Sequence, residues 1–428
     1  MRTVKTFILE NVLEFKQRLL QWSQSYEEII WLDSNTYNNQ IEYEAILAVE
    51  AFTALKTDAK QAFDKLEEYQ ITTQDYLFGY LSYDLKEATE NLTSKNFDGL
   101  HFPDLYFFQP KKIIKVKDNR AEFLYLKMVD DEIEEDYNSI KALTTRSTIS
   151  KETTIFTPRI SKENYLEKVG KMKDHIQRGD IYEANFCQEF YIENQEIDPL
   201  QSYLELNEIS SPPFAAFLRL EEHYALSASP ERYIKKKERK IISQPIKGTA
   251  KRLNNPDEDE TLKTNLRIDP KEIAENVMIV DLVRNDLSKT AFRGSVNVDE
   301  LCKLYTFKQV HQLISTVSSQ IREDVTPVEV LKTTFPMGSM TGAPKVSAMK
   351  IIEKLEETKR GLYSGSIGYF TPDGDFDFNV VIRSILYNDH QKYTSCSVGS
   401  AITIQSIPEN EYEECLVKVK ALKEAIRV

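Results

Sequence analysis

The sequence predicts an α+β fold built on large, mainly antiparallel sheets. Long helical patterns follow a series of short strand-like runs, so the chain lacks the regular alternation of strands and helices that is typical of parallel sheets. Neither a G-x-G-x-x-G segment after a strand nor a G-x-x-x-x-G-K-[ST] segment occurs, which argues against a nucleotide-binding fold. The strand-like runs of the second half are residues 184–192, 214–220, 224–227 and 233–242.

The beginning of the chain mixes strand-like and helical patterns. Residues 111–129 alternate in polarity on either side of Asp118-Asn119, which indicates a hairpin. Further strands are expected at residues 28–33 and 76–84, and one or two helices over residues 43–69.

A change in composition near residue 150 marks the best candidate for a linker. An acidic run at residues 130–136 is followed by a Ser/Thr-rich stretch at residues 144–157. We therefore predict two units, residues 1–150 and residues 151–428.

Two helices of the second unit have clear start signals. Ser161 can cap a helix that Gly179 ends. Residues 269–272 combine an Asp cap, a proline at the first helical position and a glutamate at the third. The four apolar residues 277–280 cover every side of a turn, so we expect this second helix to be buried. The apolar positions on one face of the first helix are Leu166, Val169, Met172 and Ile176.

Composition excludes several classes of function. The 428 residues are 41% hydrophobic and 29% charged, as in an ordinary soluble globular protein. The net charge of −13 argues against nucleic acid or an anionic membrane as the main partner. There is no apolar run near 18 residues and no charged-then-apolar leader at Met1, so we expect neither a membrane span nor an export signal. The four scattered cysteines fit a reducing cytoplasm.

Lys247 is the first candidate for chemistry. It lies in a rigid Pro-Ile-Lys-Gly-Thr segment, sixteen residues after Glu231 in Ser-Pro-Glu-Arg. A lysine amine that burial or nearby cations keep neutral can act as a nucleophile. The alternative is a solvated lysine on a turn, with its stem on apolar surface.

Two pairs of glutamates are candidates for a metal site. Glu275 shares a helix face with apolar residues, and Glu272 lies one turn earlier. Glu411 and Glu414 repeat this spacing on the last helix, with Lys418 four residues further on. The two pairs could meet around one hard cation with oxygen ligands, most simply Mg²⁺. The alternative, which is the commoner explanation for the pair on the last helix, is that acids favour first helical turns because of the dipole.

Other candidates are weaker when taken singly. His311 lies among apolar residues, where a histidine is more often part of the core than a base. Residues 336–345 form a loop of small residues before a helix, which suits either anion binding or a tight turn. The glycines in residues 365–369 and 397–400 permit close backbone approach to a ligand or strand bulges. Arg383 interrupts an apolar strand and needs an anionic partner.

Taken in order, these segments resemble the chorismate-utilising enzyme family, over about residues 160–428. Residues 78–84 also resemble the N-terminal region of its amine-adding members. The resemblance implies a β-sandwich flanked by helices, with an anthranilate synthase component I-like region at 1–150 and a chorismate-binding catalytic domain at 151–428. The matching segments are residues 179–182, 229–232, 245–249, 274–286, 310–313, 341–345, 365–369, 382–383 and 411–414.

The resemblance also implies a reaction, the amination of chorismate at carbon 4. Lys247 would attack carbon 2 while Glu231 protonates the leaving hydroxyl on carbon 4, and ammonia would then add at carbon 4 and expel the lysine. His311 would assist proton transfer or orient the ring carboxylate. Members that aminate carbon 2 and make anthranilate usually carry alanine at the position of Lys247, and that reaction is the alternative.

The same resemblance implies a cofactor, a partner and a pathway. Mg²⁺ would be held by Glu275 and Glu414, with Glu272 and Glu411 supporting it through water. The sequence contains no Gly-x-Cys-x-Gly-His nucleophile turn, so a separate glutamine amidotransferase subunit would supply the ammonia. The product would serve 4-aminobenzoate and folate synthesis. The residues expected to hold chorismate are Gly248, Thr249, Tyr369, Arg383, Gly399, Ser400 and Lys418.

Three positions depart from the family pattern. Glu183 stands where the family usually carries glutamine, Met337 replaces a glycine or alanine, and Ala401 stands where glycine is common. Members that add water use a lysine at the position that matches Glu183, so that reaction is not expected. The departures leave open a non-catalytic binding subunit that has kept the fold.

Overall fold

The computed structural model describes residues 1–37, 42–90, 92–144, 155–307 and 310–428. The α-helices in these ranges are α1 Val12–Ser23, α2 Ala62–Thr73, α3 Lys86–Thr89, α4 Ile133–Ala142, α5 Lys162–Gln177, α6 Pro199–Ser210, α7 Pro256–Ile268, α8 Pro270–Ser288, α9 Pro327–Thr334, α10 Lys345–Leu355 and α11 Pro408–Ala425. Short 3-10 turns lie at Tyr83–Leu85, Asp130–Glu132 and Gly338–Met340.

Twenty strands of the described ranges join into one connected sheet. They are β1 Arg2–Ile8, β2 Glu28–Asp33, β3 Ala45–Thr57, β4 Leu77–Leu81, β5 Leu105–Lys117, β6 Arg120–Leu126, β7 Thr157–Pro158, β8 Glu183–Ile192, β9 Phe214–Leu220, β10 His223–Ser229, β11 Arg232–Lys237, β12 Lys240–Gln244, β13 Ile246–Lys251, β14 Asn297–Thr306, β15 Val310–Gln320, β16 Gly342–Ala343, β17 Ser366–Phe370, β18 Phe376–Asn379, β19 Ser384–Asn388 and β20 Tyr393–Ile402.

The pairings between these strands are antiparallel. Strands from the two ends of the chain pair directly, since β2 lies between β3 and β9 and β4 pairs with both β5 and β17. The two predicted units therefore contribute to the same sheet. Their boundary falls within residues 145–154, outside the described residues, as does most of the predicted linker, and the division stays a prediction.

Two hydrophobic cores lie on opposite faces of this sheet. Ile30 and Leu32 of β2 face the first core, whereas Ile29 and Trp31, which alternate with them, face the second. Aromatic residues of β4, β5, β17 and β18 fill the first core, and the second lies against α1, α5, α6 and α11. The α+β prediction, with antiparallel sheets packed as a sandwich and flanked by helices, is confirmed.

The structure confirms the predicted elements that have strong local sequence signals. β2 has the predicted bounds, and β5 and β6 form the predicted hairpin, with Asp118 in the left-handed region at φ +52°. The Ser161 hydroxyl accepts a hydrogen bond from the Asn164 amide and begins α5. The Asp269 carboxylate accepts from the amides of Lys271 and Glu272 and begins α8.

Two predictions of secondary structure are wrong. Residues 45–57 form β3 and not a helix, and α2 begins only at Ala62. β3 packs against a core on both faces at its first five residues, so its apolar run carries no period of two. The run at residues 233–242 is two strands, β11 and β12, joined by a turn at Glu238, whose φ is +54°. No helix of the described ranges is long and apolar enough to cross a membrane.

Candidate active site

The four predicted metal-binding glutamates come together around a lysine between α8 and α11. The Lys271 Nζ lies 3.8 Å from Glu275 Oε1 and 3.7 Å from Glu411 Oε1. Burial alone would lower the pKa of Lys271, but these two carboxylates, with Glu272 and Glu414, raise it. Lys271 was not among the predicted site residues, although it precedes Glu275 by one helical turn.

Glu275 is the most constrained of these carboxylates. It is 8% exposed, and its Oε1 has no hydrogen-bond partner among the described residues. Burial raises its pKa to about 7, with Glu183 and Glu272 adding to the rise and Lys247 and Lys271 opposing it. A buried carboxylate in this state needs a proton or a cation.

The donor set suits a hard cation, because all four side chains supply carboxylate oxygens, and the buried Glu275 Oε1 receives no hydrogen bond from the described residues. In the described part of the chain, no three acidic, histidine or cysteine side chains already stand in a metal-binding arrangement. The Lys271 ammonium instead provides positive charge between Glu275 and Glu411. A bound cation would take over that role.

Lys418 ties α11 to β20. Its Nζ lies 2.5 Å from Glu414 Oε1 and donates to the Gly399 carbonyl at 2.7 Å. Burial would raise the pKa of Glu414, but Lys418 and other nearby lysines lower it. The Ser400 hydroxyl donates to Glu411. Three residues predicted to hold substrate thus lie beside the carboxylates.

Gly248 lets β13 pass close beneath α8. Its φ is +87°, and an added Cβ would lie 3.2 Å from both Glu272 Oε2 and Leu313 Cδ1. Any other residue would be strained and crowded there. Thr249 is exposed, and its hydroxyl accepts from Gln312 at 3.4 Å.

Lys247 lies inside this group of carboxylates. Its side chain is 12% exposed, and its Nζ donates to Glu183 Oε1 at 3.0 Å. Burial alone would lower the pKa of Lys247, but Glu183, Glu275 and Glu231 together raise it above its ordinary value. These carboxylates therefore favour the ammonium form of Lys247 in the free enzyme, whereas a nucleophile needs the neutral amine.

Asn276 fixes the backbone at this lysine. Its amide nitrogen donates to the carbonyls of Lys247, at 3.3 Å, and Leu313, at 3.1 Å. α8, β13 and β15 are thereby joined at one side chain, which explains why an asparagine follows Glu275.

Glu231 lies in the connection between β10 and β11, and it is 4% exposed. Burial raises its pKa to about 7, opposed by a hydrogen bond from Ser339 and by the charge of Lys247. A carboxyl that stays protonated to neutral pH can serve as a general acid. Ser339 belongs to the loop at residues 336–345, where Met337 is buried in the first core.

Arg383 has the features of an anion-binding residue. Its φ is +53°, in the left-handed region that a non-glycine residue adopts only under constraint. Burial lowers its pKa, and the nearby groups Tyr363 and Glu414 oppose that effect. Within the described ranges its guanidinium forms no ion pair, so it is available to a carboxylate of a ligand.

Tyr369 and His311, which are both predicted site residues, have their described contacts away from Lys247 and Glu231. Tyr369 stacks on Phe78 at 5.4 Å between ring centroids and lies beside Tyr43. His311 is buried, with Nε2 3.2 Å from Asp259 Oδ1 and Nδ1 2.9 Å from the Thr306 hydroxyl. Among the described residues, no hydrogen bond joins either side chain to Lys247 or Glu231, and their roles toward substrate stay predictions.

Comparison with known proteins identifies the family. A family model described as chorismate binding enzyme matches residues 20–424. The chain is 32% identical over 390 residues to aminodeoxychorismate synthase component 1 of Bacillus subtilis, which covers 88% of this chain and 81% of that protein. It is 37% identical over 346 residues to the chloroplastic aminodeoxychorismate synthase of Arabidopsis thaliana, covering 76% of this chain but only 37% of that protein.

A solved structure of similar fold is anthranilate synthase component I from Streptococcus pneumoniae TIGR4. The TM-score is 0.78 at 25% identity, and the match covers 88% of this chain and 91% of that one. The match of the family model extends over far more than half of the chain. The chain therefore belongs to the chorismate binding enzyme family and is an enzyme that acts on chorismate.

Proposed function

We propose that this enzyme is an aminodeoxychorismate synthase component I, which converts chorismate and ammonia to 4-amino-4-deoxychorismate. One observation carries the proposal. The buried amine of Lys247 lies close enough to the carboxyl of Glu231 for each to affect the pKa of the other, and burial raises the pKa of Glu231 to about 7. A nucleophile and a general acid are the two groups that a displacement with loss of hydroxide requires.

The proposed reaction has two displacements. The neutral amine of Lys247 attacks carbon 2, the ring double bond shifts, and the hydroxyl on carbon 4 leaves as water with the proton of Glu231. Ammonia then adds at carbon 4, the double bond shifts back, and Lys247 leaves from carbon 2. Each step is an allylic displacement with a good leaving group, which is the general advantage of a covalent intermediate.

The glutamates of α8 and α11 would hold Mg²⁺. Glu275 and Glu414 would contact the ion, and Glu272 and Glu411 would support it through water. Bound there, Mg²⁺ would supply the positive charge that holds the ring carboxylate of chorismate. The buried Oε1 of Glu275, which has no hydrogen-bond partner in the described ranges, supports this assignment.

Basic and backbone groups beside the glutamates would hold the rest of the dianion. Arg383 and Lys418 are the candidate cations. Arg383 forms no ion pair in the described ranges, and Lys418 lies beside Gly399 and Ser400. The backbone at Gly248 and Thr249 would add amide donors close to Glu272.

Ammonia would come from a partner. The 428 residues contain no Gly-x-Cys-x-Gly-His turn with which to hydrolyse glutamine. The name of the Bacillus relative, component 1, supports a second component. We infer a separate glutamine amidotransferase, and the product would serve 4-aminobenzoate synthesis.

The test is to incubate the purified protein with chorismate, Mg²⁺ and an ammonium salt, and to identify the product by mass and fluorescence. We expect aminodeoxychorismate and little anthranilate. The second candidate reaction is amination at carbon 2, which the likeness to an anthranilate synthase favours. Anthranilate as the main product would overturn the proposal, and so would chorismate binding without any turnover.

A further inference from the structure

Glu183 begins β8, and it is 1% exposed. Its Oε1 accepts the hydrogen bond from Lys247 Nζ at 3.0 Å, while its Oε2 has no hydrogen-bond partner among the residues that the structure describes. A buried oxygen without a hydrogen-bond partner is costly, so Oε2 is open to a further donor.

We propose that Glu183 is the internal proton acceptor for Lys247. The inference rests on the proposed function, because a covalent route requires a neutral amine and the free enzyme holds an ammonium. Glu183 is the carboxylate that is hydrogen-bonded to that ammonium in the described ranges. The proton can therefore pass between the two side chains without entering bulk water.

The proton balance closes over one turnover. Before attack, one proton moves from Lys247 Nζ to Glu183 Oε1, which leaves a neutral amine and a neutral acid. The amine attacks carbon 2, and Glu231 protonates the departing hydroxyl, which becomes water. When ammonia displaces Lys247, the new ammonium on carbon 4 gives a proton to Glu231, and Glu183 returns its proton to Lys247.

The other charged groups around the pair have different positions. Glu231 accepts a hydrogen bond from Ser339. The four glutamates of α8 and α11 lie around Lys271, where the Mg²⁺ ion is proposed to bind. None of them forms a hydrogen bond to Lys247 Nζ within the described ranges, in contrast to Glu183. The charged groups that face Lys247 or Glu183 are Glu231 after β10, Glu272 and Glu275 of α8, and Glu414 of α11.

The test is the pH dependence of Glu183→Gln relative to the unaltered enzyme. At about pH 7 we expect kcat/KM to fall on the order of 10²- to 10⁴-fold, the usual loss of a general base. Without its acceptor, Lys247 must release its proton to bulk water. The ratio of variant to unaltered kcat/KM should therefore rise about tenfold per pH unit, since the titration of Glu231 cancels in the ratio.

Two further variants separate this role from a structural one. Glu183→Asp keeps a carboxylate. The ratio of its kcat/KM to that of the unaltered enzyme should therefore be low but independent of pH. Glu189→Gln removes another buried carboxylate of β8, which pairs with Arg159 at 3.0 Å, and its ratio should also be independent of pH. A ratio for Glu183→Gln that does not change with pH would overturn the proposal.

A second readout does not depend on turnover. The rate at which acetic anhydride acylates Lys247, followed by peptide mass spectrometry, reports the fraction of neutral amine. Glu183→Gln should increase that rate at a given pH, because one of the carboxylates that hold the proton is gone, although turnover falls. Unchanged labelling would count against Glu183 alone, whereas full activity of Lys247→Ala would count against the covalent route.

Discussion

Glu231 links the chemistry of the site to the stability of the fold. Burial raises its pKa from 4.5 to about 7. Between these values the folded protein holds a proton that the unfolded chain has lost, so the free energy of unfolding falls as pH rises through this window. The shift corresponds to roughly 3 kcal/mol.

Glu231→Gln removes both effects. We expect kcat/KM to fall on the order of 10²- to 10⁴-fold. The unaltered protein should lose roughly 3 kcal/mol more of its free energy of unfolding between about pH 4.5 and about pH 7 than the variant does. Urea unfolding across this window measures the second effect, with Glu193→Gln, an exposed site after β8, as the control. An identical pH dependence in both variants would contradict the buried state of Glu231.

The carboxylates around Lys271 are the proposed ligands of Mg²⁺. Glu275→Gln removes a ligand from the proposed ion, so the Mg²⁺ concentration for half-maximal activity should rise by at least about tenfold. Glu409→Gln changes an exposed acid at the start of α11 and should leave that concentration unchanged. Equal Mg²⁺ dependence of the two variants would show that Glu275 does not bind the ion.

β13 and α8 approach each other closely at Gly248, where no side chain separates them. Gly248→Ala should be strained, by about 1–2 kcal/mol in the left-handed region, and should also push against Glu272 and Leu313. Gly179→Ala is the matched control, since its φ is +82° and its added Cβ meets nothing within 4 Å.

Both glycine variants should lose similar stability in thermal unfolding, but only Gly248→Ala should lose activity, because only there does the substitution displace a side chain of the site. Equal activity of the two variants would mean that the spacing of β13 and α8 has no part in the reaction.

Local signals explain how much of these elements could be predicted. The start of α8 and the shared face of Glu272 and Glu275 follow from a cap and a helical spacing, which are properties of adjacent residues. β3 has no alternating signal in the sequence, because residues on both of its faces are buried and apolar. The contact of Glu183 with Lys247 joins two strands 64 residues apart, and no local pattern encodes it.

The whole molecule is held by contacts that cross the predicted boundary near residue 150. β2 pairs with β9 and β4 with β17, and Asp84 accepts a hydrogen bond from the Gly361 amide at 2.9 Å. Tyr83 also covers the buried Arg360, with the guanidinium carbon 4.4 Å from the ring centroid. The two predicted units therefore share the first core.

A fragment of residues 155–428 tests this sharing. It would expose the edges of β9 and β17 and one side of the first core, so we expect it to lack a cooperative thermal transition, whereas the whole chain should unfold in a single one. Near-ultraviolet circular dichroism can follow the thermal unfolding of the fragment and of the whole chain. A fragment that unfolds cooperatively would show that residues 151–428 are an independent domain.

The most direct test of the central claim is the mass of the protein quenched during reaction with chorismate and Mg²⁺ in the absence of ammonia. We predict a covalent species heavier by chorismate less one water, located on Lys247 by peptide mapping and absent from Lys247→Ala. Amination at carbon 4 by Lys247→Ala at the unaltered rate, with no such species in either protein, would contradict the account.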